Sequence, residues 1–160
     1  MRRWIQKAHE LRGGRKGSAM MEFALGWSIL IAVFTGTFQF GYMFYQYNTL
    51  ENAIEQAARY GSMLQYSSTN STPTDSFKTA VQNMAVYGTP STGTTPLLSG
   101  LSTGSSGNVS VTITAGPGSN FTPGKVTVTL TSFTLDGFFG TQALTNKPSI
   151  TYAYMGLYQP

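Results

Sequence analysis

The sequence predicts an α+β chain: one long N-terminal helix, transmembrane at first and amphipathic later, extending into a small domain with a short helix and an antiparallel β-meander. Three observations predict it. No charged residue occurs between Glu22 and Glu51. Apolar residues then recur at helical spacing as far as Gly61. Further on, apolar residues alternate with Thr and Ser, the period-two pattern of half-buried strands.

The first element is a basic leader, residues 1–17. It holds Arg2, Arg3, Lys7, Arg12, Arg15 and Lys16 against Glu10 alone, a net charge of +5. The rest of the chain holds Arg59, Lys78, Lys125 and Lys147 against Glu22, Glu51, Glu55, Asp75 and Asp136, a net of −1. The overall pI of about 9.4 therefore belongs to the leader. A nucleic-acid partner would need a basic surface on the folded part, and the sequence does not supply one. Basic residues before a membrane span instead hold that side in the cytoplasm, so the chain after the span is expected to be exported.

The second element is the helix. Residues Phe23 to Tyr47 are mainly Ala, Leu, Ile, Val, Phe, Met and Tyr. A span needs about 20 such residues, so a lipid bilayer is the expected surrounding for about residues 22–47. Phe34, Phe38, Tyr42 and Tyr45 form an aromatic stripe, flanked by Phe40, Phe44 and Tyr47. Aromatics with a polar tip concentrate where a span meets water, which accounts for the stripe without a cofactor. Leu50, Ala53, Ile54, Ala57, Ala58 and Gly61 then share one face, with Glu51, Glu55 and Arg59 on another, and no proline precedes Pro73. One helix from about Ser18 to about Leu64, within a segment 18–66, is expected to extend on the order of 70 Å. Ala53, Ala57 and Gly61 offer a strip of small residues suited to helix packing, including the approach of a partner helix. Glu55 and Arg59 stand in the favourable i, i+4 order for a solvated pair.

The remaining residues, 67–160, are expected to form the β-rich part. Ser67 to Thr74 reads as a linker, with a helix-capping signal at its end. Phe77, Ala80, Val81, Met84 and Ala85 fit one face of a short helix starting near Asp75 or Ser76. Residues 88–108, rich in Gly, Ser, Thr and Pro, read as a flexible loop. Val109, Val111 and Ile113 predict one strand, and Val126, Val128 and Leu130 a second, joined through Gly116 to Asn120 and Pro123-Gly124. Ile150, Tyr152 and Tyr154 predict a third. Asn70, Asn108 and Asn120 open Asn-x-Ser/Thr triplets, which chance explains in a chain this rich in Ser and Thr.

Catalytic chemistry has no candidate. The chain has no cysteine, and its one histidine, His9, lies in the leader. The rest therefore lacks the commonest general base, the thiol nucleophile and the usual zinc ligands. Asp136-Gly137 reads as a turn rather than a cation loop. No metal, no cofactor and no enzymatic activity is assigned.

The junction Arg15-Lys16-Gly17-Ser18-Ala19-Met20-Met21-Glu22-Phe23 resembles the processing site of type IV prepilin-like proteins. A secretory signal would place its cleavage site beyond its apolar stretch, whereas here the site precedes it and the helix is retained. The resemblance implies cleavage between Gly17 and Ser18 by a prepilin peptidase, and assembly and recognition roles for Glu22 and Phe23. In type IV pilins the corresponding glutamate is associated with the free amine of a neighbouring subunit's first residue, a role this implies for Glu22 and Ser18. A Glu at this place also favours the positive end of the helix dipole by about 0.3–1 kcal/mol.

The wider segment narrows the family. Glu22-Phe23-Ala24-Leu25, Phe40-Gly41-Tyr42-Met43-Phe44-Tyr45, Asn52-Ala53 and Ala57-Ala58-Arg59-Tyr60-Gly61 together resemble a TadE-like protein of the tight-adherence (Flp/Tad) pilus system. Gln39 departs from the family, whose members often carry an acidic residue there. The resemblance implies a pilin-like fold and a minor pilin or pseudopilin in the bacterial inner membrane, with its C-terminal domain periplasmic. The implied partners are the prepilin peptidase, other pilin or pseudopilin subunits and an inner-membrane assembly platform. An uncleaved single-pass anchor or adaptor of a secretion complex is the alternative.

Overall fold

In a computed structural model the backbone is described for residues 2–118 and 120–160, and side chains from Gly17 onward apart from Ser119. The leader's charged side chains, His9 and the Ser119 part of the expected turn lie outside the described residues. The elements are α1 (Arg2–Met63), α2 (Asp75–Tyr87), β1 (Val109–Ala115), β2 (Pro123–Leu130), β3 (Ser132–Asp136), β4 (Thr141–Thr145) and β5 (Ser149–Ala153). The chain is α+β. It divides into two units, one reaching Gly41 and the other running Tyr42–Pro160.

The first unit is part of α1. The helix begins at Arg2, well before the expected start near Ser18, because Gly13, Gly14 and Gly17 weaken a helix without terminating it. From Gly17 to Gly41 no residue of this unit is buried.

The second unit contains the core, built on the rest of α1. Leu50, Ile54, Ala57 and Ala58 are buried along one face of it, against Phe77, Val81, Ala85 and Val86 of α2 and the inward residues of the strands. Gly61 allows this close packing. A Cβ there would stand 3.1 Å from Val81 Cγ2 and 3.3 Å from Val126 Cγ1, so α1, α2 and β2 meet at a position with little room for a side chain. Ala53, Ala57 and Gly61 are all buried in the second unit, and at Gly61 the neighbouring helix is α2, through Val81.

Helix α2 forms where its caps predict. Thr74 accepts a hydrogen bond from the Phe77 N–H at 3.4 Å, and Gly88 closes the helix in the left-handed region (φ 72°) with its N–H donating to the Met84 carbonyl.

Strands β1, β2 and β5 form one antiparallel sheet in the order β1-β2-β5, with Val111 opposite Val128 and Val128 opposite Ile150. Val109, Val111, Ile113, Val126, Val128 and Leu130 face the core. On the outer face Thr127 and Thr151 share a hydrogen bond of 2.8 Å, and Thr129 and Ser149 one of 2.7 Å. Cross-strand hydroxyl pairs of this kind fix register on a solvated face. The expected three-stranded meander is this β1-β2-β5 sheet; beyond it, β3 and β4 form a separate two-stranded sheet, inserted in the chain between β2 and β5. Phe133 and Leu135 bury its inner face, while β4 contributes only the half-buried Leu144.

Residues 88–108 form a loop, as the composition predicts. The segment has no helix or strand, but polar side chains fasten it. Gln82 donates to the Val109 carbonyl at 2.8 Å and accepts from the Gly104 N–H at 3.1 Å. Asn83 donates to the Pro90 carbonyl, and Asn108 donates to the Gly100 carbonyl while accepting from the Ser102 N–H. Leu101 is buried among them. Leu98 also packs against the core, and the Leu97 N–H donates to the Val86 carbonyl at 2.7 Å, so the loop is tied by scattered contacts that carry no periodic signal.

The last carbonyls of α1 have no partner within the helix, and the C-terminal tail supplies partners. Met155 N–H donates to the Ser62 carbonyl at 2.8 Å, and the Tyr154 hydroxyl to the Leu64 carbonyl at 2.8 Å. Around this joint Tyr66 packs edge-on against Phe77 and stacks on Tyr158. Burial pushes the Tyr66 and Tyr154 hydroxyls above their ordinary pKa.

Candidate functional site

The candidate site is the exposed part of α1 in the first unit, from Gly17 to Gly41. Between Gly17 and Met63 a segment is long and apolar enough to cross a membrane, and none of that segment is buried within the chain. Its large side chains point outward all round: Phe23, Leu25, Trp27, Ile29, Val33, Phe34 and Phe38 are all exposed. A helix with this length and composition and no polar face fits a single membrane span.

Its few hydroxyls are satisfied in a way that suits such surroundings. Ser28 donates to the Leu25 carbonyl at 2.8 Å, Thr35 to Ile31 at 2.7 Å and Thr37 to Val33 at 2.9 Å. Each bond closes within the helix, so none of these groups needs water or a partner chain. Phe23 stacks on Trp27 with ring centroids 5.7 Å apart, and Phe34 on Phe38 at 6.1 Å.

The expected processing residues lie at the start of this segment. Gly17, Ser18, Glu22 and Phe23 are all exposed on α1, with Ser18 and Glu22 one turn apart on the same side. A Cβ at Gly17 would meet nothing within 4 Å. The Gly17–Ser18 bond is therefore open to approach but lies in helical backbone.

In the second unit the other expected residues serve the fold. Ala53, Ala57 and Gly61 are buried as described. Glu55 and Arg59 form their ion pair at 2.9 Å on the surface, and Tyr152 of β5 joins it by donating to Glu55 at 2.9 Å. Sequence reasoning missed Gln46. It is 5% exposed, its amide donates to the Asp136 carbonyl at 2.9 Å, and it accepts from the Asp136 N–H at 3.2 Å. This pair of bonds ties the end of β3 to α1. The signal was present: Gln46 precedes Leu50 by one turn and so stands on the core face, where a polar side chain needs a partner.

No curated protein and no solved structure matches this chain. The match that exists begins at the candidate processing glycine and runs along α1 almost to Gly61, leaving α2 and the strands outside it. Residues 17–59 match the model of the family described as TadE-like protein, and this stretch of α1, the apolar segment and the face that carries the core, is TadE-like.

Proposed function

We propose that the chain is a minor pilin or pseudopilin: a membrane-inserted structural subunit of a tight-adherence, type IV-like pilus or secretion assembly, with no enzymatic activity of its own. The observation that carries this reading is the TadE-like match along α1 from Gly17, over a helix whose apolar segment is unburied within the chain. In this reading a prepilin peptidase removes residues 1–17, residues 18–66 form the helix, and residues 67–160 lie in the periplasm. The basic leader holds the N-terminus in the cytoplasm. The exposed apolar helix then docks on sister helices at the inner-membrane assembly platform.

Cleavage needs the helix to open at the junction. Each of Gly13, Gly14 and Gly17 lowers the helix's preference there by about 1 kcal/mol relative to alanine, which supports local unwinding in the peptidase. Glu22, left in an apolar setting, costs a few kcal/mol unless paired. The amine freed at Ser18 of a neighbouring subunit neutralises it and sets the stagger between subunits.

The test is intact-mass and N-terminal peptide analysis of the protein from native membranes, with the peptidase present and absent. A peptidase-dependent start at Ser18 is expected. A chain that always retains residues 1–17 would establish instead the uncleaved anchor or adaptor of a secretion complex, the reading favoured by the unbroken course of α1 through the junction. Glu22→Ala should leave cleavage intact and reduce recovery in sheared filaments or assembled complexes. Unchanged recovery removes the pairing role.

A further inference from the structure

The β3–β4 hairpin ends in Gly137-Phe138-Phe139-Gly140, closed by a hydrogen bond from the Gly137 N–H to the Gly140 carbonyl at 3.0 Å. Phe138 is 88% exposed and Phe139 73%, and their rings lie 6.1 Å apart. Both rings lie outside the core cluster, and the function proposed above does not use them.

Two fixed points show which way this tip faces. Near the far end of α1, Gly61 is against Val126 of β2. Further along the same run of chain, Asp136 at the end of β3 is bonded to Gln46. From Val126 to Asp136 the chain therefore travels back along α1 towards its N-terminal side. Residues beyond Asp136 continue past Gln46 at up to roughly 3.3 Å per residue, towards the level of Tyr42, Phe44 and Tyr45, which are exposed on α1. By sequence, that level is where the apolar stretch gives way to the amphipathic one.

We propose that the Phe138-Phe139 tip is a second membrane contact, inserting into the interfacial layer of the same bilayer that α1 crosses. This rests on reading α1 as a span. The tip, residues 137–145, carries no charge. Asp136 at its base is exposed, and a carboxylate does not enter hydrocarbon without a partner, so the insertion stops at the headgroup and upper acyl region. Phe138 and Phe139 with Tyr42, Phe44 and Tyr45 then form an aromatic collar on the membrane-facing end of the second unit, as aromatics do at this depth. A single helix leaves its domain free to swivel about the helix axis, whereas a second contact fixes which face of the domain is presented to a neighbouring subunit.

The absence of cysteine makes the test direct. Single-cysteine variants of the full chain, Phe138→Cys, Ser71→Cys and Phe34→Cys, are spin-labelled and reconstituted in phosphatidylethanolamine/phosphatidylglycerol vesicles. Accessibility to oxygen is compared with that to a water-soluble nickel chelate. The label at 138 should shift clearly towards oxygen relative to that at 71, to a depth shallower than that at 34. If 34 reports lipid but 138 matches 71, the second contact is wrong and the span stands. If 34 also reports water, the span reading itself fails and the proposal with it. A label at 138 shielded from both reagents, with spin–spin broadening that disappears on dilution with unlabelled protein, assigns the tip to a second copy of the chain and overturns the lipid contact.

Discussion

Helix α1 places the same residue types in two different environments. Leu30 and Leu50 are both helical leucines, yet Leu30 is 49% exposed and Leu50 is fully buried. Gly36 and Gly61 are both helical glycines. A Cβ at Gly36 would meet nothing within 4 Å, whereas at Gly61 it would press on Val81 and Val126. The difference teaches that helix formation and core formation are separate properties of this chain. From Gly17 to Gly41 no residue is buried, and the hydroxyls of Ser28, Thr35 and Thr37 fold back on the helix backbone. From Tyr42 onward it is the floor of a core made by α2 and five strands.

The largest effects should break this contrast at its leucines. Leu50→Ala should destabilise the second unit by about 2–5 kcal/mol, the usual cost of a cavity in a packed core. Leu30→Ala should leave that unit's unfolding unchanged within about 0.5 kcal/mol. Denaturant unfolding of the full chain in detergent, followed by near-ultraviolet circular dichroism, reads both. Equal losses would mean that the first part of α1 also carries the fold. The glycines come next. Gly61→Leu should cost about 1–3 kcal/mol by overpacking against Val81 and Val126, while Gly36→Leu should be silent in the same measurement. A silent Gly61→Leu would show that α2 can withdraw freely, contrary to the close approach described here. Gln46→Ala should be milder, about 1–2 kcal/mol, because it leaves the Asp136 N–H and carbonyl without their partner. Amide hydrogen exchange should detect it first as faster exchange at Asp136, and unchanged exchange there would remove Gln46 as the tie between hairpin and helix.

The sequence made the first half of this contrast plain and the second only in part. A charge-free run before an amphipathic one is a strong signal, and the end of α1, the start of α2 at Thr74 and strands β1, β2 and β5 followed from period and capping. The β3–β4 hairpin did not. Phe133 and Leu135 alternate over too short a run, and β4 has only Leu144 to bury, so its pairing with β3 is what makes it a strand. The fastening of residues 88–108 was hidden for a related reason, since amide side chains such as Gln82 and Asn108 carry no periodic signal. Of the candidate site, Gly17, Ser18, Glu22 and Phe23 come from a motif in the sequence, and the structure adds that they are exposed on α1. The one signal for Gln46 was its place a turn before Leu50 on the core face, while its partner, Asp136, comes from far along the chain.

The smallest effect is absent at neutral pH and emerges only in alkali, and it belongs to the second unit alone. Tyr66 and Tyr154 meet near the end of α1, with ring centroids 6.2 Å apart, and donate to the carbonyls of Asn70 and Leu64. Burial raises both hydroxyls above the ordinary value of 10.0, because a phenolate there would lose its hydration. The folded state therefore holds these protons more tightly than the unfolded chain does. Their contribution to stability is complete below the unfolded value, and it is lost as the pH rises from there through the raised folded values. Unfolding of the second unit should accordingly be independent of these groups at neutral pH and become easier from about pH 10 upward. Tyr66→Phe should flatten part of that alkaline decline, at the cost of the bond to Asn70. A decline equally steep in the variant would mean that Tyr66 is not a group whose proton the fold protects, and that the joint between the end of α1 and the C-terminal tail is more open to water than its packing implies.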